Sequence, residues 1–412
     1  MTQKPVVVIG AGMVGISTAI WLLRAGRRVI LIDKGKPGSG ASFGNAGLIA
    51  QWAVAPVSSP SLWKDAPRML LKRDEPLFLK WRQLPWLLPW LTRFMSNATD
   101  AATRRIVSDI APLLSDAKDQ HRSLVAGTEV ESWIVDSKLS YAYHSRAGFE
   151  KDAYSWAFKR QHGFAPVLIE GPDVREAEPI LSERFQCLAV IEGQGHITNP
   201  AAYIAALARQ FVLDGGEILE AQVKGFAKTG GRISQLRLST GTIDCSHAVI
   251  TAGAWSKELM QQLGLNVPLV SERGYHVVYE SPSEMPRNPM MHVPGKFGVN
   301  PMETGLRCAG TVELGDHRQG PSRAPLSLIR KRVAEDFPKL TYAGTQEWMG
   351  FRPSTPDSLP LIGELGQTGI FVGFGHQHVG LTAGPKTGRL LAQLIAGAGV
   401  NMDLSAYDPA RF

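Results

Sequence analysis

A chain of 412 residues with 44% hydrophobic content can bury one or two cores, which excludes a disordered or fibrous protein. Its 44 Lys and Arg against 37 Asp and Glu leave a net charge of +7, but no basic block is interleaved with aromatics, so no nucleic-acid partner is expected. Cys187, Cys245 and Cys308 are too far apart for a metal or redox pair and suit a reducing, cytoplasmic setting; a cleaved leader is not expected, and no apolar run is long enough to cross a bilayer.

The first element is PVVVIGAGMVG, Pro5 to Gly15: a buried strand, then Gly10, Gly12 and Gly15 in G-x-G-x-x-G spacing. The first glycine permits a tight turn, the second lets backbone approach a pyrophosphate, and the third lets the helix pack on the sheet. That helix is predicted from about Met13 to Ala25, burying Ile16, Ala19, Ile20 and Leu23. RRVILIDKG supplies a second strand ending at Asp33, whose carboxylate is placed to accept hydrogen bonds from a ribose, with Lys34 just beyond. The complete unit points to a dinucleotide, and FAD and NAD share it. GKPGSGASFGNAGLIA keeps small residues from Gly35 to Ala50, so Ala41, Ser42, Asn45, Ala46, Gly47 and Leu48 can run beneath a bulky cofactor.

Between Pro56 and His121 the composition changes. LFLKWRQLPWLLPWLTRFM, Leu77 to Met95, concentrates tryptophan and leucine, is broken at Pro85 and Pro89, and is flanked by Lys80, Arg82 and Arg93. The prolines predict short helices rather than one, packed as a lid or laid on a membrane surface. A helix over about 103–124 follows, then a strand in SYAYHSRAG and a helix in KDAYSWAFKRQHG. A helix starting near Pro200 buries Ile204, Leu207, Ala208 and Phe211 and leads to a strand region containing Val223. The apolar strand Ala248 to Thr251 runs into a small-residue turn, Thr251, Ala252 and Gly253, before Trp255, which suits close cofactor approach. SERGYHVVYE, PMMHVP and LRCAGTVELG are further strands, so a β-containing domain interrupts the nucleotide domain.

GFRPSTPDSLPLIGEL, Gly350 to Leu365, carries Arg352 and Asp357. After it, GIFVGFGHQHVGLTAGPKTGRLLAQLIAG reads as strand, glycine loop and helix. The helix face of Leu390, Leu391, Leu394 and Ile395 is expected to pack on the first domain, bringing Gly375, His376, Gln377 and His378, with Val379, Gly380 and Leu381, beside the cofactor. A helix N-terminus offers unused N–H donors and a positive dipole end. The early loop is therefore expected to hold phosphates and the late loop the redox ring.

Four blocks in this order, VVVIGAGMVG with Asp33, GASFGNAGLIA, ITAGAWS, and GFRPSTPDSLPLIG followed by GFGHQHVGLTAGPKTG, resemble the D-amino acid oxidase-like superfamily of FAD enzymes, in particular its bacterial D-amino acid dehydrogenase small-subunit branch. The resemblance implies noncovalent FAD in a Rossmann-like α/β domain of the glutathione reductase type, formed by 1–60, 197–265 and 345–412. It implies an α+β substrate domain with a mixed sheet, formed by 61–196 and 266–344. It implies Arg352 as the clamp for a substrate carboxylate, the competing reading being a salt bridge to Asp357. Tyr275 or Tyr279 is a candidate hydroxyl donor to substrate; alternation puts both on one strand face and does not choose between them. His376 or His378 is expected beside the flavin, and no metal-ligand set accompanies them. The implied reaction is oxidative deamination of a D-amino acid or a secondary amine such as proline or hydroxyproline, with electrons passed to a quinone or another non-oxygen acceptor. The alternatives are an oxygen-using oxidase of glycine, sarcosine or an opine, an L-amino acid deaminase, and a noncatalytic flavin subunit. GHQHVG departs from the histidine, glycine and threonine run of well-known members, which points to a narrower amine substrate. Implied partners are the acceptor, a partner subunit and a peripheral contact with the cytoplasmic face of the inner membrane.

Overall fold

The computed structural model describes residues 4–63, 77–315 and 319–412, so part of the expected 61–196 segment lies outside the described residues. In chain order the strands are β1 (Val6–Ile9), β2 (Val29–Asp33), β3 (Leu48–Ile49), β4 (Leu77–Leu79), β5 (Ile134–Tyr143), β6 (Val167–Glu170), β7 (Cys187–Ile197), β8 (Glu217–Glu220), β9 (Val223–Thr229), β10 (Arg232–Leu238), β11 (Gly241–Asp244), β12 (His247–Ile250), β13 (Val270–Glu280), β14 (Met290–His292), β15 (Phe297–Met302), β16 (Gly305–Leu314), β17 (Gly344–Ser354), β18 (Leu361–Glu364) and β19 (Ile370–Phe374).

The first sheet runs β18-β19-β12-β1-β2-β8. In it β1 pairs in parallel with both β2 and β12, Ile9 lying opposite Ile32 and Ile250. VVVI is apolar at every position because both faces are covered. Helices Met13–Arg24 and Gly380–Ala396 lie on one face, while Val7 and Ile9 on the other pack with Val223, Ile233 and Leu236 of the small β11-β10-β9 sheet. The two helices meet through glycine: a Cβ on Gly388 would lie 2.5 Å from the Thr18 amide nitrogen. Leu390, Leu391 and Ile395 are buried in that contact, and Leu394 packs at its edge.

The second sheet runs β17-β13-β16-β15-β14-β5-β7-β3, with β4 beside β16 and β6 beside β7. It is mixed: β14–β5 and β4–β16 are parallel, and the other pairs are antiparallel. Helix Arg323–Asp336 covers one face through Leu326, Ile329 and Val333. Two segments that the sequence grouped with the nucleotide domain, β3 and residues 345–354 of β17, stand in this sheet.

Leu84–Ser96 forms one helix, where the two prolines predicted several. Pro85 lies in the first turn, where the lost N–H has no intrahelical partner, and Pro89 is carried inside the helix. Burial of Leu87, Trp90 and Phe94, and a 3.2 Å bond from the Trp90 indole to the Ser354 carbonyl, offset that lost donor. The single helix expected over 103–124 is two, Asp100–Leu114 and Ala117–Val125.

Candidate active site

A cavity of about 1390 Å³ is lined by residues of both sheets and by the Trp90 helix. At its nucleotide end the β1 turn presses on the end of β12. Gly10 has φ +106°, and a Cβ there would sit 2.6 Å from the Thr251 carbonyl oxygen. Gly12 caps helix Met13–Arg24 without a side-chain bond, and the Met13 amide donates to Ser42 Oγ at 3.2 Å. Asp33 braces both neighbouring turns: Oδ2 accepts from the Ala11 amide at 2.7 Å and Oδ1 from the Gly35 amide at 3.1 Å. The Lys34 ammonium lies 3.6 Å from the Trp255 ring centroid, and burial lowers its pKa against the opposing charges of Asp33 and Glu258.

Of the residues the sequence singled out for the cofactor, Gly10, Gly12, Met13, Asp33 and Lys34 line this cavity, as do Ala41, Ser42, Asn45, Ala46 and Leu48. Val223, Thr251, Ala252, Gly253 and Trp255 contribute from the middle of the chain, and His376, Gln377, His378, Gly380 and Leu381 from its end. Gly15, Gly47, Gly375 and Val379 do not line it. A Cβ on Gly15 would be 1.8 Å from the Gly10 carbonyl oxygen, and one on Gly47 would be 2.3 Å from that of Ile197, so both serve close backbone packing. Gly375 turns the chain at φ +92°, and Val379 is a core residue.

Strand register sets the other end. The pairs Glu272–Arg352, Gly274–Gly350 and His276–Trp348 lie directly opposite one another on β13 and β17, and their shared parity gives one face. Glu272, Gly274, Trp348, Gly350 and Arg352 line the cavity. Tyr275 and Tyr279 share a face as expected, but it is the opposite one, packed with helix Arg323–Asp336. The Tyr275 ring edges the cavity, yet its hydroxyl donates to Glu313 Oε2 at 2.6 Å and accepts from the Ser322 amide at 3.1 Å. Tyr279 packs edge-on to Tyr342 and does not reach the cavity. Alternation fixes parity, and only the covering helix decides which face is core.

Asp357 pairs with Arg411 at 2.7 Å, not with Arg352. The Arg352 guanidinium instead lies against Gly274, where a Cβ would come within 2.7 Å of Cζ. Burial lowers the pKa of Arg352, and Glu272 opposes the shift. Burial raises that of Glu272, with Arg352 opposing. The two charges thus feel each other without an ion pair inside 4.0 Å.

The late loop is tied to the end of β17. The Gln377 amide donates to the Pro353 carbonyl at 3.0 Å and its Nε2 to the Thr355 carbonyl at 3.1 Å, with Gln377 itself at φ +49°. His376 Nε2 is 2.9 Å from Thr387 Oγ1, and burial takes its pKa down to about 3. The His378 ring opens to the cavity; the protein packed around it, and then the Arg352 charge, take it down to about 4. His376, sealed in the core, is neutral at physiological pH. Glu272, Gly274, Trp348 and Gly350 escaped the sequence reading, although the alternation in SERGYHVVYE carried the first two.

The pocket fits a flavin dinucleotide. Small residues line it at Gly10, Gly12 and Ser42, where a Cβ on Gly12 would already be 3.3 Å from Ser42 Oγ, and the helix start behind them carries no side-chain cap. Residues 5–394 match the DAO family model, described as FAD dependent oxidoreductase. The chain is 37% identical over 417 residues to a D-amino-acid oxidase of Bradyrhizobium diazoefficiens, covering 99% of each chain. It is 29% identical over 405 residues to a D-amino acid dehydrogenase of Methylobacterium nodulans, covering 95% of each. The crystal structure of glycine oxidase from Geobacillus kaustophilus, 22% identical, has the same fold, with a TM-score of 0.78 over 100% of both chains. With a Rossmann-like FAD-binding region joined to a mixed-sheet domain, the chain belongs to the DAO family of FAD-dependent oxidoreductases.

Proposed function

We propose that this enzyme oxidises a D-amino acid or glycine-type amine to the imino acid, which water converts to a 2-oxo acid and ammonia, with the electrons finally passed to O2. The observation that carries the reading is Arg352, a cation open to the cavity beside Glu272, with no carboxylate among the described residues within 4.0 Å of it. Oxygen replaces the non-oxygen acceptor favoured by the sequence because the relative at 37% identity is named an oxidase and the one at 29% a dehydrogenase.

FAD, when bound, supplies the two-electron acceptor for the Cα–H bond. Gly10 to Met13 and Asp33 would hold its nucleotide part, and His376, Gln377, His378, Gly380 and Leu381 its ring. The planar fork of Arg352 takes both oxygens of the substrate carboxylate. Glu272, on the neighbouring strand, receives the amino group, and its raised pKa lets the carboxyl oxygen hold the proton that the ammonium loses. Gly274 and Gly350 leave room for the Arg352 guanidinium and the Trp348 ring to lie down on the sheet.

The test is anaerobic bleaching of the flavin by paired D- and L-amino acids, glycine, sarcosine, proline and the hydroxyprolines, followed by stoichiometric H2O2 in air. Bleaching without O2 uptake would refute the acceptor, and no bleaching by any of them would refute the substrate class. A membrane carrier as acceptor is favoured by one feature: Trp86 is 86% exposed and Leu88 53% exposed on the Leu84–Ser96 helix, beside Arg82 and Arg93. Quinone reduction that requires lipid and is lost in a Trp86→Gln, Leu88→Gln variant would support that reading; lipid-independent coupling would remove it.

A further inference from the structure

The cavity continues past the Arg352 corner along a single cross-strand row. In register this row runs Trp348, His276, Ala309, Gly298, Met291 and Tyr141 across β17, β13, β16, β15, β14 and β5; all but His276, which the Gly44 carbonyl covers at 3.1 Å, line the cavity. Five interstrand steps of about 4.8 Å make it roughly 24 Å long. Its middle, Ala309 and Gly298, carries almost no side chain, so the floor there is bare backbone. A compact amino acid held at one end leaves the other end unused.

That other end is cationic. Lys159, from helix Ala153–Gln161, is 6% exposed and forms part of the cavity wall with Ser155. Its ammonium lies 4.9 Å from the centroid of Tyr141 and 4.6 Å from that of Trp156, and donates to Ser155 Oγ at 2.8 Å. Among the described residues no carboxylate lies within 4.0 Å of it. Tyr141 Oη accepts from the Trp52 indole at 2.5 Å, which leaves its own proton to donate toward the same space. A buried cation without a counter-ion is costly, and burial here takes its pKa down to about 8 with only Asp152 opposing. Aromatic faces and one hydroxyl offset part of that cost. An anionic group arriving in the cavity would offset the rest.

We propose that Lys159, with Ser155 and Tyr141, forms an anion subsite for the far end of an elongated substrate, an amine-bearing carboxylic acid whose side chain ends in a second carboxylate. This rests on the reading of Arg352 as the clamp for the first carboxylate. It assigns Lys159 to selectivity, remote from the bond that is oxidised.

The test is a chain-length scan with the FAD-loaded enzyme. D-2-aminodicarboxylic acids of six to eighteen carbons are compared with D-2-aminomonocarboxylic acids of equal length, in wild type, Lys159→Met and Lys159→Arg. The expected result is a length at which the diacid exceeds the monoacid in kcat/KM. Lys159→Met should lower that ratio at least tenfold without changing monoacid turnover, and Lys159→Arg should restore much of it. A ratio below one at every length, or one unchanged in Lys159→Met, overturns the subsite. If no amino acid is turned over, the substrate reading itself has failed. The subsite is then decided by calorimetric binding of unreactive α,ω-dicarboxylates against monocarboxylates of equal length: a diacid preference lost in Lys159→Met supports it, and equal affinities in both proteins refute it.

Discussion

Gly274→Ala tests the clamp without touching it. A Cβ at this position would lie 2.7 Å from Arg352 Cζ and Nη2 and 2.8 Å from Nε, closer than carbon atoms tolerate. What it meets is the end of a flexible side chain, so the guanidinium swings aside and β13 keeps its pairing. The variant therefore folds and retains FAD, but the fork no longer faces the substrate. A hydrogen bond to a charged group is worth about 1.5–3 kcal/mol, so losing one predicts a fall of roughly 10- to 150-fold in kcat/KM. Steady-state kinetics give the loss, and flavin absorbance with thermal unfolding shows that the scaffold survives. The decisive assay is the cycle with Arg352→Ala: once the guanidinium is gone the new methyl has nothing to displace, so the double variant should be no worse than Arg352→Ala alone. Additive losses, or an unchanged kcat/KM in Gly274→Ala, would refute the assignment of Arg352.

Other perturbations read the scaffold. Gly388→Ala places a Cβ 2.5 Å from the Thr18 backbone nitrogen, which cannot swing away, so the two long helices separate; a loss of about 1–3 kcal/mol, seen as a lower Tm and weaker FAD retention, is expected. Lys159 is held at about 8 against 10.5, so the folded protein carries a burial cost below pH 8 that disappears as pH rises to 10.5. Lys159→Met should therefore raise stability at pH 7 by up to about 3 kcal/mol, less the lost cation–π contribution, and by nothing near pH 10.5, as denaturant unfolding at both pH values would check. Burial would raise the pKa of Asp336, but His292 at 2.8 Å, Arg184 and His144 outweigh it and hold the carboxyl low. Its stabilisation is present above the ordinary aspartate pKa of about 3.9 and is lost as pH falls through the folded value; Asp336→Asn should shrink the stability difference between pH 6 and pH 3.

What could be read from the residues was local. The βαβ unit announced itself because its glycines, its apolar strand and Asp33 lie within about thirty positions, and the late loop because a strand, a glycine-bearing turn and a helix start follow one another. Arg352 was legible only through the family resemblance. Its neighbours were not, since Glu272 and Gly274 reach it by strand pairing across about eighty residues. Tyr275 and Tyr279 were given a shared face but no side, because helix Arg323–Asp336, which packs on that face, lies some fifty residues further on. Lys159 looked like one more basic residue on an amphipathic helix until the fold set Tyr141 and Trp156 around it.

The placement of β1 between β2 and β12, with β19 beyond β12, bears on how the protein is made. When the first strand leaves the ribosome, the sheet it must join is mostly unsynthesised. Between Ile9 and Ile370 lie roughly 360 residues, which at about 5–20 residues per second take on the order of 20–70 s to translate. Through that interval the VVVI segment and the apolar side of the first helix lack the helix Gly380–Ala396 that finally covers them. A stalled or truncated nascent chain that lacks Gly380–Ala396 therefore leaves that apolar surface open to chaperones and proteases.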